Sequence, residues 1–223
     1  MTGLPWTAAL LGVVCVLDDA VCVSLLLSEP VFAGALFGAA TGRFETGVAC
    51  GALLQCLWIV SLRVGGARPP EGWLAALAAV SAAPAGIGLD RGAWLASEAL
   101  APALLMGVAC AYAGAWGRAA VVRVIARQAD RAMESAAHGD FGAIERLHAG
   151  SVALHAGRGA LTAFAAAVVM PWLATLAAPL HAAAPAGWIA LALAVVALGQ
   201  TSGRTARWTW AAGGVAGLLW AWR

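Results

Sequence analysis

The chain has no lysine; all of its basic side chains other than histidine are arginine. That absence removes a Walker lysine, a Schiff-base lysine and a lysine general base together. Charge of either sign is scarce, at 11% of residues with a formal net charge of +2. So small a basic excess, with no interleaving of basic and aromatic residues, excludes nucleic acid as a partner. The five cysteines, Cys15, Cys22, Cys50, Cys56 and Cys110, are odd in number, lie in apolar stretches and form no CxxC. They are expected to be small buried packing residues rather than a disulfide framework or a zinc site. No HExxH or GxSxG occurs, and Gly86-Ile87-Gly88 lacks the third glycine of a dinucleotide fingerprint, so it reads as a turn. His148 and His155 would share a helix face with no carboxylate close in sequence, which favours interfacial, hydrogen-bonded histidines over a metal pair. The expectation is no catalytic residue, no metal and no cofactor.

Apolar residues are abundant. They make up 62% of the chain, and the mean hydropathy is +0.85. The apolar stretches approach the ~20 residues that span a bilayer. They are Trp6–Leu27, Val31–Leu62 with an interruption at Gly42-Arg43-Phe44-Glu45, Trp73–Gly88, Trp94–Trp116, Ser151–Leu180, Gly187–Ser202 and Trp208–Trp222. Several are too short or too broken to be plain spanning helices. The predicted fold is therefore an all-α integral membrane protein, a multi-span helical bundle with broken or re-entrant helices. No basic region precedes the first stretch and Asp18-Asp19 interrupts it, so this segment is expected to stay and not to be cleaved as a signal.

One region differs in character. From Arg118 to His148 the chain carries Arg118, Arg123, Arg127, Arg131 and Arg146 with Asp130, Glu134, Asp140 and Glu145, a density of charge that belongs in water. A helix leaving the membrane after Trp116 is predicted to continue into solution and to stop at His138-Gly139-Asp140. Asp140 or a neighbour would then cap a short helix Phe141–His148 leading back to the bilayer. This divides the chain into a membrane half at 1–117, a solvated helical hairpin at 118–150 and a second membrane half at 151–223. The arginine count of the hairpin places it in the cytoplasm by the positive-inside rule.

The candidate solute path lies between the Ser28-Glu29-Pro30 break and residue 72. Gly34, Gly38, Gly42, Gly47 and Gly51 are spaced so that helix backbones can touch. Gly65-Gly66 and Pro69-Pro70 form a turn, and Glu71 follows it. Gln55 and Arg63 are eight apart and so fall roughly on one helix face. Gln55 can donate to and accept from a sugar hydroxyl, or bond a neighbouring helix. Arg63 can only donate, or can snorkel to the interface. Asp18 and Asp19 would be costly against lipid, so they mark a water-filled cavity or show that the first helix ends near Leu17. Adjacent residues on a helix point about 100° apart, which argues against an intramembrane enzyme built on this pair.

The run Pro30-Val31-Phe32-Ala33-Gly34 through Gly38, Gly42-Arg43-Phe44-Glu45-Thr46-Gly47, Gly51 and Gln55, then Val64-Gly65-Gly66-Ala67-Arg68-Pro69-Pro70, resembles membrane component IIC of the mannose-family (mannose/fructose/sorbose) sugar phosphotransferase system. The hydrophilic hairpin with its return Ile144-Glu145-Arg146-Leu147-His148 is similar too. Against that pattern, Gln55 stands where an acid is common, Arg63 where a small amide is usual, and Arg43 where an aspartate often follows the glycine. The chain is also short by about a span and a half.

The resemblance implies a multi-pass protein of the bacterial inner membrane that carries a hexose in an elevator-like movement. It implies a IID-like membrane partner and delivery to cytoplasmic IIB/IIA subunits, where the IIB phosphohistidine does the phosphoryl chemistry. Gln55, Arg63, Asp18, Asp19 and Glu71 are then the expected substrate contacts, and self-association is left open. The alternative role is a non-transporting membrane scaffold or regulator that keeps the IIC fold and docks partners on the hairpin. A vitamin-type capture module would explain the size but not the glycine-proline pattern.

Overall fold

The computed structural model describes residues 3–20, 25–58, 70–84 and 100–177. These residues form six helices and no strand: α1 (Leu4–Ala20), α2 (Pro30–Ala40), α3 (Phe44–Trp58), α4 (Gly72–Ala82), α5 (Leu100–Ala137) and α6 (Phe141–Ala177). Arg63, Gly65, Gly66 and Pro69 lie outside the described residues, as do Gly86-Ile87-Gly88 and the apolar stretches after residue 177.

Helix length separates the elements into two kinds. At 1.5 Å per residue the eleven residues of α2 and of α4 cover about 16 Å, roughly half a hydrocarbon core. Neither can span alone. By contrast α5 and α6, of 38 and 37 residues, each hold a stretch long and apolar enough to cross a membrane. They run well past it.

The apolar stretch that begins at Val31 is a helical hairpin. Its turn sits at the interruption, where Thr41 takes both hydroxyl and amide back to Phe37 O and Gly38 O. Gly42 follows at φ +70°, a conformation that favours glycine. Nothing lies near Gly42, so its part is to turn the chain and not to pack helices as the spacing predicted. The four other glycines of the series stand at the crossing of α2 and α3. An added Cβ at Gly34 would meet Gly47 O at 2.5 Å, at Gly38 it would meet Arg43 O at 2.7 Å, and at Gly51 it would meet Pro30 O at 2.6 Å. The two backbones touch.

A second close crossing, between α1 and α6, escaped the sequence reading. A Cβ on Gly12 would stand 2.6 Å from Ala163 Cβ, and one on Gly159 would stand 2.8 Å from Val16 Cγ2. Trp6 and Phe164 meet edge to face at 5.2 Å along the same seam. At the centre of the bundle lies α4, with every residue from Trp73 to Ala82 buried. A helix apolar on all sides belongs inside, and here α2, α3, α5 and α6 enclose it. Its C-terminal end, whose carbonyls no helix can satisfy internally, is met from outside: the Arg43 guanidinium donates to Val80 O in the last turn at 2.7 Å and, just beyond the helix, to Pro84 O at 2.8 Å and to Ala83 O. Arg43 is thus a cap on α4, joining the α2–α3 turn to the far end of the core helix.

The charged hairpin is made of the outer ends of α5 and α6. Gly139 at φ +74° closes α5. Asp140 Oδ1 then accepts the Ala143 amide at 2.9 Å to start α6. The short helix expected at Phe141–His148 is instead the opening of the 37-residue α6, which passes residues 150 and 151 without a break. Similarly α5 passes 117 and 118 unbroken. Arg123, Arg127, Asp130, Arg131 and Glu134 are exposed on it.

Candidate functional site

Two half-length helices begin at the same place. Pro30 opens α2 and Gly72 opens α4, and a Cβ on Gly72 would lie 2.7 Å from Pro30 Cγ. Each helix is preceded by a glutamate at its N-cap, Glu29 and Glu71. Carboxylates are favoured there by the positive end of the helix dipole. The sequence produces this arrangement twice by the same means, a proline and a glutamate just outside an apolar run.

On the α2 side, Gln55 reaches back from α3. Its Nε2 donates to Glu29 Oε2 at 3.0 Å, and its Oε1 accepts the Val31 amide at 3.5 Å. A carboxylate, an amide and a helix N-terminus are thus collected at one half-buried point. The preceding loop is held by Asp18, whose Oδ1 accepts the Leu25 amide at 2.6 Å and whose Oδ2 accepts the Ser28 amide at 3.0 Å. Asp18 therefore neither opens a water-filled cavity nor marks a helix end at Leu17. It is buried, α1 continues to Ala20, and both of its oxygens are committed to a loop that contains Leu26 at φ 64°.

On the α4 side lies a buried charged cluster. Glu71 is 1% exposed, and its amide donates to Ala111 O at 3.2 Å. Its Oε1 accepts from Arg118 Nε at 2.8 Å and also from Arg158 Nη1. Arg118 Nη2 continues to Asp19 Oδ2 at 3.2 Å. Two carboxylates and two guanidiniums from α1, the α4 N-cap, α5 and α6 balance one another in charge. Removing either sign would leave an uncompensated ion in an apolar interior.

Two members of this cluster run against the sequence reading. Arg118 was expected in water with the other hairpin arginines, but it turns inward to Glu71 and Asp19 because a buried carboxylate is nearer than solvent. Arg158 lies inside the stretch Ser151–Leu180, which reads as apolar throughout. The signal was available, since an arginine within an apolar span calls for a partner. Of the five expected substrate contacts, Gln55 stands with Glu29, Asp19 and Glu71 stand in the ionic cluster, Asp18 braces the loop between them, and Arg63 lies outside the described residues. Of the turn residues, Pro70 is described; its carbonyl accepts the Trp58 indole N–H at 3.3 Å. His155, one turn before Arg158, faces the same charges, whereas His148 is exposed.

Residues 5–199 match the family described as the sorbose-specific IIC component of the phosphotransferase system (PTS). No curated protein sequence matches the chain. Among solved structures, one described as a membrane protein is similar over 100% of this chain and 77% of its own, with a TM-score of 0.63 and 14% identity. The mannose transporter ManYZ, solved by cryo-electron microscopy in complex with microcin E492, is similar over 100% of this chain and 77% of its own, with a TM-score of 0.60 and 18% identity. At such identities the likeness is one of fold.

Proposed function

The chain belongs to the sorbose-specific IIC family of the phosphotransferase system, and from that premise we propose that it is the subunit through which a hexose crosses the bacterial inner membrane. The observation that carries this role is the meeting of Glu29, Gln55 and the Val31 amide of α2 at a helix break. Half-length helices that start inside a membrane protein bring backbone and side-chain polar groups to a depth where a polar solute needs them. An amide beside a carboxylate offers both donor and acceptor to a sugar hydroxyl. A hydroxyl entering the site exchanges with the Gln55–Glu29 bond and leaves no polar group unmet.

The remaining assignments follow from the family. A IID-like chain shares the membrane, and the hairpin at 118–150 faces the cytoplasm, where IIB/IIA subunits receive and phosphorylate the sugar. The phosphoryl step belongs to those partners. Uptake of D-mannose, D-fructose and L-sorbose in cells with and without the chain identifies the sugar. Gln55→Leu should then lower that uptake roughly tenfold or more at equal protein level, since a polar group left without its partner costs about 1–3 kcal/mol.

A scaffold that keeps the fold is favoured by one observation: both polar groups of Gln55 are already engaged within the chain. Partner pull-down on the same variant separates the two roles. Lost uptake with intact pull-down supports the carrier, and unchanged uptake in Gln55→Leu removes this residue from the path.

A further inference from the structure

Three polar atoms around the charged cluster are buried with no hydrogen-bond partner among the described residues: Glu71 Oε2, Arg158 Nε and His155 Nδ1. The side chains of Glu71 and Arg158 are 0% and 7% exposed. Both arginines address the same carboxylate oxygen, Oε1. An acceptor on Glu71 and a donor on the facing guanidinium are left over. Buried polar groups are almost always satisfied, so this pairing of leftovers calls for a third group.

One chemistry fits both. A hydroxyl donates to a carboxylate oxygen while accepting from a guanidinium N–H, whereas an anion would be repelled by Glu71 and a cation by Arg158. The approach to Oε2 is kept open by Gly114, where an added Cβ would stand 2.8 Å from that oxygen. Gly114 also borders a largely apolar pocket of about 240 Å³ between α4, α5 and α6, where Leu74, Ala166, Val169 and Met170 stand with Cys110 and Thr162. Glu71 Oε2 thus sits behind the one position of that wall that carries no side chain.

We propose that Glu71 Oε2 and Arg158 Nε form a hydroxyl-binding subsite for the hexose, filled by water when sugar is absent. This rests on the transport role proposed above. It adds Arg158 to the groups that recognise the sugar and gives Glu71 two tasks: one oxygen holds the helices together and the other reads a hydroxyl.

The test uses the full chain purified in detergent, with binding of D-mannose, D-fructose and L-sorbose followed by tryptophan fluorescence. Whichever sugar binds is then compared with its monodeoxy analogues. Arg158→Lys keeps a cation on Oε1 but removes the Nε donor. It should weaken the parent sugar about tenfold or more, a hydrogen bond to a charged group. For one monodeoxy analogue the wild type should already be weak, and Arg158→Lys should add less than about twofold, as a double-mutant cycle requires of a lost shared contact.

Gly114→Ala, which places a methyl against Oε2 and Leu74 while leaving every charged residue in place, should reproduce that analogue-specific pattern and decides the matter if the lysine variant does not fold. Equal losses for every analogue, or no loss, overturn the subsite. The transport role fails separately, when the wild type binds none of the three sugars. If Gln55→Leu abolishes uptake while both of these variants bind normally, transport stands and the subsite falls.

Discussion

Removing Glu71 alone should unfold the bundle far more readily than removing Glu71 and Arg158 together. Among the described residues of the cluster Asp19 and Glu71 offset Arg118 and Arg158, so their formal sum is −2 + 2 = 0. Glu71→Leu leaves −1 + 2 = +1 with Arg158 buried beside an alkyl chain, while Glu71→Leu/Arg158→Leu leaves −1 + 1 = 0 and keeps the Arg118–Asp19 pair at 3.2 Å. Breaking a buried pair from one side costs about 3–5 kcal/mol, whereas replacing both partners with apolar residues is often neutral. By the scaling for domains of this size the single variant should melt roughly 6–20 °C lower. The double variant should recover most of that loss. Thermal unfolding of the detergent-solubilised chain, followed by tryptophan fluorescence, reads both. A single variant within about 2 °C of wild type, or a double variant that melts at the sum of the two single losses, would refute the claim that the four charges act as one unit.

Gly12→Val should destabilise the α1–α6 crossing by an overpacking cost of about 1–3 kcal/mol, because its Cβ would fall 2.6 Å from Ala163 Cβ. Gly117→Ala, on a helix with nothing within 4 Å, should be neutral or gain up to about 1 kcal/mol; equal losses for both in the same melting assay would discredit the close-packing account. A cysteine at Ser135 in a cysteine-free background should resist an impermeant thiol reagent applied outside intact cells and react in inverted vesicles, and labelling from outside reverses the proposed orientation.

Much of the architecture was legible because periodicity and punctuation carry it. The interruption at Gly42-Arg43-Phe44-Glu45 is the turn of the α2–α3 hairpin, and the stop at Gly139-Asp140 is the turn of the α5–α6 hairpin. Both rest on local chemistry, a positive-φ glycine and a capping side chain. The partners of charged residues were not legible. Arg118 and Glu71 are 47 positions apart, and Arg158 and Glu71 are 87 apart, so nothing local distinguishes an arginine that turns inward from one that snorkels to the surface. Arg43 reads as a departure in a solute path and is a helix cap, since its three carbonyl partners lie in the last turn of α4 and just beyond it, and sequence alone does not give the position of that helix. Asp18 reads from sequence as facing water or ending a helix, and a loop that folds back to use both of its oxygens is a third outcome.

The position of α4 shows why such ties matter in this solvent. An eleven-residue helix buried on all sides would be held in water by the hydrophobic effect, but lipid tails are as apolar as the neighbours it packs against, so apolar area alone gives it no preferred depth. What lipid cannot supply is hydrogen bonding and close backbone approach. Both occur at the ends or along one side of α4: Glu71 with its two arginines at the start, Arg43 on the last carbonyls, and Gly107, whose absent side chain admits Ala75 O to 2.5 Å of where a Cβ would lie. The charged residues in this chain therefore do in the membrane what an apolar core does in water. They set which helices meet and at what height.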